Sequence, residues 1–174
     1  YEICKDFRNE GIDRLHNPEF TMLEFYQAFI DYQGLMDMTE RMLEHVVRSA
    51  TDSLEIVYQG HEVNFAGPYE RVPMLGSLSE ALGAYVGVLS ADDLRAHAER
   101  LKVSDLEGAG WGKLIDKLFG ELVQPKLIQP TFVIDHPKEL SPLAKSHRDD
   151  PDLSERFELF VAGEEIANAF SELN

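Results

Sequence analysis

An α+β fold, an antiparallel sheet with helices packed mainly on one face, follows from three observations along the 174 residues. Residues 1–8 and 19–30 alternate with the period of strands and flank a polar loop. An apolar stripe at helical spacing follows Asp37. The last segment, 155–173, reads as a hairpin that turns near Ala162-Gly163.

Each element has its own signal. In the first strand Tyr1, Ile3 and Phe7 share one face, and Glu2, Cys4, Asp6 and Arg8 share the other. Residues 9–17 carry Gly11 and stop before Pro18, so they form a loop. The strand over 19–30 pairs back on the first. Asp37-Met-Thr-Glu40 has the form of a capping box. Met38, Met42, Val46 and Ala50, with Leu43 and Val47 beside them, form the core-facing stripe of the helix it opens. Runs at 54–58 and 62–65 make a small hairpin. Three short helices follow: one capped by Ser77 or Ser79 and ending at Leu82, one capped by Ser90 and reaching Lys102, and one over 113–122. Ile128, Phe132 and Ile134 mark a further strand, and 136–152 a loop rich in Pro, Ser and Asp. His136 and Pro137 belong to that loop architecture rather than to chemistry.

The length suits one domain with a real core. Hydrophobic content of 44% and charged content of 28% are those of a soluble globular protein. The apolar runs are too short to cross a bilayer, and no basic-then-apolar leader opens the chain. The single Cys4 cannot form an internal disulfide, which fits a reducing cytosol. A net charge of −16 argues against this surface as a main nucleic-acid platform, because phosphate contacts need Lys and Arg. His45, His61, His97 and His147 show no metal-like spacing, and no serine sits in a nucleophile elbow.

Residues 7–29 carry the densest chemistry. Phe20, Met22, Glu24, Tyr26 and Ala28 fall on one strand face, an aromatic and thioether floor holding a carboxylate and a phenol. Thr21, Leu23, Phe25, Gln27 and Phe29 form the opposite, core-facing side. An acid among aromatics is costly unless paired, and a cationic or hydrogen-bonding ligand is one candidate partner. Arg8, at the end of the first strand, can grip a phosphate or carboxylate with two parallel hydrogen bonds, or pair with Glu10 at the surface.

A second candidate group lies in the last hairpin. With a two-residue turn at Ala162-Gly163, Phe160 opposes Glu165, and Glu158 lies diagonally across on the same face. Two carboxylates so close repel unless a cation sits between them. Hard oxygen ligands completed by phosphate oxygens suit Mg²⁺; a solvated acidic face is the plainer alternative. Strict alternation turns Asn168, Phe170 and Glu172 away from Glu165, so a shared site demands a bulge between Glu165 and Asn168.

Phe-Arg-Asn-Glu-Gly at 7–11, His-Asn-Pro-Glu-Phe-Thr at 16–21, Glu24 and Tyr26 resemble motif 2 of class II aminoacyl-tRNA synthetases, in the form carried by the lysine enzymes. Glu-Arg-Phe-Glu-Leu-Phe at 155–160, then Gly163, Glu165, Asn168 and Ser-Glu-Leu-Asn at 171–174, resemble the later half of the same active site. His-Pro-Lys-Glu-Leu-Ser-Pro-Leu-Ala at 136–144 also resembles the family. The middle of the chain matches only in outline.

The resemblance implies a partial class II catalytic core over 1–174, with a helical insertion at about 75–124. It implies activation of L-lysine by ATP with Mg²⁺ and transfer to tRNA(Lys), in a cytoplasmic homodimer. Arg8 would bridge the lysine carboxylate and the ATP α-phosphate. Glu10 would meet the adenine amino group, His16 the γ-phosphate side, Asn17 the adenine edge, and Phe20 the ring face unless it is simply core. Glu158 would bind ATP and metal together, with Glu165 as the second metal ligand. Glu24, Tyr26, Asn168 and Glu172 would bind lysine, whose ammonium offers three donors and no acceptor. The chain opens without Met and both ends fall in strand-like sequence, as expected of a piece of a longer protein. Upstream would lie the dimer-forming motif and downstream an arginine motif. The alternatives are a paralogue that lysylates a protein such as elongation factor P, and a catalytically silent binding module.

Overall fold

The computed structural model describes residues 1–174 except Glu10, Asp105 and Asn174. The chain divides into two compact units, Tyr1–Ile30 and Asp31–Asn174.

The first unit is an antiparallel hairpin of β1 (Glu2–Phe7) and β2 (Glu19–Glu24), in register from Glu2↔Glu24 to Phe7↔Glu19. It is shorter than the predicted strand over 19–30. β1 begins at Glu2, so residues past Glu24 have no strand to pair with, and Phe29 takes a left-handed conformation at φ 63°. Phe20 and Met22 are half-buried, while Leu23, assigned to the core side, is exposed. A two-stranded hairpin has too little surface to enclose either face.

The second unit is built on a four-stranded sheet in the order β5-β6-β7-β8. These are β5 (Glu70–Pro73), β6 (Thr131–Pro137), β7 (Leu153–Val161) and β8 (Glu164–Phe170). Two features differ from the predicted antiparallel, one-sided arrangement. β5, missed in the sequence, pairs parallel with β6. Helices cover both faces. On one, Phe132, Phe157, Leu159 and Val161 meet Tyr32 and Met36 of α1 (Tyr32–Thr51). On the other, Val133 and Phe160 meet α2 (Met74–Leu82), α3 (Ala91–Arg100) and α4 (Trp111–Leu122). Burying a large apolar side chain contributes about 1.5–3 kcal/mol, so both layers matter to stability.

Local chemistry explains the helix ends. α1 starts before the predicted Asp37: Asp31 caps it, accepting from Gly34 N at 3.1 Å. Asp37 instead pairs with Arg71, and Glu40 accepts from Tyr69 N at 2.8 Å. Ser77 and Ser79 lie inside α2 and bond back to carbonyls of the preceding turn, so neither caps it. Ser90 does cap α3, in a reciprocal box with Asp93. The small hairpin is β3 (Glu55–Tyr58) with β4 (His61–Asn64).

Leu118 on α4 is fully buried. Leu118→Ala is expected to destabilise the protein by about 2–5 kcal/mol, and Ser90→Ala by about 1 kcal/mol. Urea denaturation checks both; equal losses would contradict this placement of the core.

Candidate functional site

The β7–β8 turn sets the geometry of the second unit's polar face. Ala162 and Gly163 both have positive φ, 52° and 79°, the signature of a two-residue turn matched to strand twist. Their N–H groups donate to Ile128 O and Leu127 O, each at 3.0 Å, which pins the turn. Phe160 pairs with Glu165 as predicted. The predicted bulge is present: the register shifts between Leu159↔Ala167 and Phe160↔Glu165, leaving Ile166 unpaired. Glu165 and Asn168 therefore share the face of Glu158. Asn168 Nδ2 donates to Glu165 Oε1 at 3.1 Å and to Glu158 Oε1 at 3.3 Å.

A second irregularity lies in β6. The register shifts between Ile134 and His136, and Asp135 sits at φ 57°. Asp135 turns toward the α1 side, where Tyr32 Oη donates to its Oδ1 at 3.0 Å. His136 turns to the other face, with Nε2 3.4 Å from Glu158 Oε2. It is 1% exposed, so its assignment to loop architecture is corrected: it is a buried strand residue against a site carboxylate.

Arg156 is the second residue the sequence reading missed. It stands two positions before Glu158 on one strand face, a spacing that could have revealed it. Its guanidinium donates to Asn168 Oδ1 at 3.2 Å, Ser141 Oγ at 2.8 Å, Leu140 O at 3.2 Å and Glu158 Oε1 at 2.5 Å. Asp116 and Lys117 of α4 join Glu158, Phe160 and Glu165 around a cavity of about 370 Å³.

Charge is unevenly distributed in this cluster. Burial pushes the Glu158 carboxyl up, but the adjoining His136 and Arg156 outweigh it and hold it below the usual range. Burial and the Glu158 charge push Glu165 up, and the same two causes raise Asp116. Both keep an exposed edge, so solvent screens these effects. Among the described residues no three His, Cys, Asp or Glu side chains are gathered to cage an ion unaided. Two carboxylates without a cage suit a hard cation that keeps water and phosphate in its shell.

Glu172 stands apart from this group. It lies past the end of β8, exposed, on an isolated bridge to Ala144. At 3.3 Å per residue it is about 13 Å along the chain from Asn168.

In the first unit Arg8 follows β1, and its guanidinium carbon lies 5.2 Å from the Phe20 ring centroid. The cation covers one face of this half-buried ring. Asp13 organises the loop: its Oδ1 accepts from Leu15 N at 2.7 Å and His16 N at 2.8 Å, and its Oδ2 lies 2.9 Å from His16 Nδ1. These backbone and imidazole contacts hold the Asp13 carboxyl below its usual value. Asn17 Nδ2 donates to Glu19 O at 2.6 Å, so this amide is already engaged within the loop. Glu24 ends β2 directly opposite Glu2, a like-charge pair that disfavours the strand end. Tyr26 lies outside the strand and is 83% exposed, which corrects its placement on one face with Glu24. Glu10 lies outside the described residues.

The chain matches the family model for class II tRNA synthetases (D, K and N) over residues 1–174. It is 53% identical to a lysine–tRNA ligase of Carboxydothermus hydrogenoformans, which it matches over its whole length and over 36% of that protein. It is 48% identical to the lysine–tRNA ligase of Christiangramia forsetii and 49% identical to that of Saccharolobus solfataricus, over 31% and 35% of their lengths. The chain thus spans about a third of the curated relatives it matches. With the model matching from the first residue to the last, the chain belongs to the class II tRNA synthetases of the aspartate, lysine and asparagine group.

Proposed function

We propose that this chain is part of the catalytic core of a lysine–tRNA ligase that activates L-lysine with ATP and Mg²⁺ and transfers it to tRNA(Lys). The observation that carries the proposal is the array of Glu158, Glu165 and Asn168 on one sheet face, assembled by the bulge that a shared site demands. The names of the relatives support tRNA, rather than a protein, as the acceptor.

Each residue then has a chemical task. Arg8 neutralises charge building between the lysine carboxylate and the α-phosphate. His16, oriented by Asp13, and Asn17 serve the phosphate tail and adenine edge, with Glu10 toward the adenine amino group. Phe20 would stack on the base; stacking of this kind contributes about 1–3 kcal/mol. Glu158 and Glu165 would hold Mg²⁺, which supplies charge neutralisation on the phosphates when bound. In the first unit Glu24 and Tyr26, and in the second Glu172, are the candidate acceptors for an ammonium, and Asn168 is the candidate for the substrate carboxylate. Catalysis is by positioning and charge, without a protein nucleophile. The proposal extends to a homodimer working in the cytoplasm. Among the described residues no helix is long and apolar enough to cross a membrane.

Lysine-dependent exchange of labelled pyrophosphate into ATP tests the reading in the whole protein. Arg8→Ala is expected to lower it about 10²–10³-fold, the cost of removing one preorganised charge-stabilising donor. Exchange that survives this change, or that proceeds without lysine, rejects the assignment.

The carboxylate pair gives a pH test. Glu165 holds its proton above the ordinary value of 4.5 in the fold. The stability this contributes is present below the unfolded value and is lost as pH rises through the folded one. Glu165→Gln cannot ionise, so in metal-free buffer it is expected to gain on the wild type between pH 4 and 7, by at most about 1 kcal/mol after screening. Urea denaturation across that range checks it. Mg²⁺ should narrow the difference by stabilising the wild type, and a flat difference across pH would reject the repulsive pair.

A further inference from the structure

We propose that His136 is a positioning residue that fixes the Glu158 carboxylate for its metal. This rests on the reading of Glu158 and Glu165 as ligands of a divalent cation.

The starting observation is an anomaly. His136 is 1% exposed, and among the described residues neither Nδ1 nor Nε2 has a hydrogen-bond partner. Buried polar groups almost always find partners, because an orphan costs about 1–3 kcal/mol. A phenyl ring would fill a comparable volume without that cost. Among the described residues the imidazole's ion-pair contact is with Glu158 Oε2, 3.4 Å from Nε2. At that distance the contact is electrostatic and long for a hydrogen bond.

The backbone supports a role directed at Glu158. Regular alternation would point His136 to the α1 side, away from Val133 and Glu158. The left-handed Asp135 and the register shift beside it turn the imidazole to the Glu158 face. The left-handed Asp135 places two side chains at once, its own carboxylate against Tyr32 and the imidazole against Glu158.

The other oxygen of the carboxylate is already held. Arg156 donates to Glu158 Oε1, and Asn168 donates to the same atom at 3.3 Å. Oε2 is therefore the oxygen freer to take a metal. A small rotation of the carboxylate closes the 3.4 Å gap and lets an N–H on Nε2 fix Oε2 by one lone pair, leaving another for the ion. Carboxylate ligands are commonly anchored by such outer hydrogen bonds, and losing one costs about 10–100-fold in metal affinity.

A structural role and a positioning role separate in one experiment. In the whole protein, the Mn²⁺ concentration that half-saturates the site at saturating ATP is measured by water-proton relaxation, beside urea stability. Mn²⁺ is the probe because carboxylate and phosphate oxygens suit it and it is paramagnetic. His136→Phe trades the cost of an orphaned polar ring against the lost contact with Glu158, so it is expected to stay folded in urea titration, yet to bind Mn²⁺ about 10-fold or more weakly. His136→Gln, which keeps a donor, is expected to restore most of the affinity. Unchanged affinity in His136→Phe, or equal loss in both variants, overturns the inference while the metal site stands. Absence of Mn²⁺ binding in the wild type overturns the metal site and the inference together.

Discussion

Strict alternation of side chains along a strand is the constraint that this site has to break. A regular β6-β7-β8 ladder would put Glu158 on one face, with Glu165 beside it, and turn His136 and Asn168 to the other. Two local departures reverse that. The unpaired Ile166 brings Asn168 across in β8, and Asp135 at φ 57° brings His136 across in β6. Neither departure would survive a slip in register. The positive-φ pair Ala162-Gly163, held by the 127–128 carbonyls, sets that register for β7 and β8. Polar chemistry in the sheet thus depends on turn geometry several residues away.

The electrostatics follow from this crowding. A chain of net charge −16 gathers more acid here, and a carboxylate cluster in a half-closed cleft is unfavourable unless cations attend it. Glu158 has the Arg156 guanidinium bonded to it and the His136 ring beside it, and its carboxyl is held below the usual range. Glu165 and Asp116 are pushed the other way, by burial and by the Glu158 charge. One carboxylate is thus held to its charge while two are pushed toward their protonated forms. Arg156 also ties the two halves of the array together. Its single plane of donors spans Glu158, Asn168 and the buried Ser141, a span a lysine could not reproduce.

What was legible in the sequence was what local rules decide. The Ala162-Gly163 turn set the pairing of Phe160 with Glu165, and the conflict of parity it left required the bulge that is found. Ser90 and Asp93 announced their capping box. Elements decided by tertiary partners were misread. Asp37-Met-Thr-Glu40 has the form of a cap, but Asp37 and Glu40 spend their carboxylates on Arg71 and Tyr69, and the helix starts at Asp31. β5 has four residues and a non-local parallel partner, so no period betrays it. His136, at the end of a predicted strand, reads as loop architecture, and the shift at Asp135, which no local pattern announces, turns it to the Glu158 face. Tyr26 seemed to share the Glu24 face because alternation continued on paper after β1 had run out of residues.

The helical segment between the two sequence blocks is more than a spacer. α4 packs Leu114, Ile115, Leu118 and Phe119 into the core beneath the sheet, an apolar stripe that fixes the helix's rotation. With that rotation set, Asp116 and Lys117 have one direction left, along the wall of the cavity that Glu158 and Glu165 share. A cation entering the cleft meets a third carboxylate there, and an anion meets an ammonium. The same packing that stabilises α4 therefore shapes the charge around the cavity, and a change in the α4 core would be felt at Glu165 without touching it.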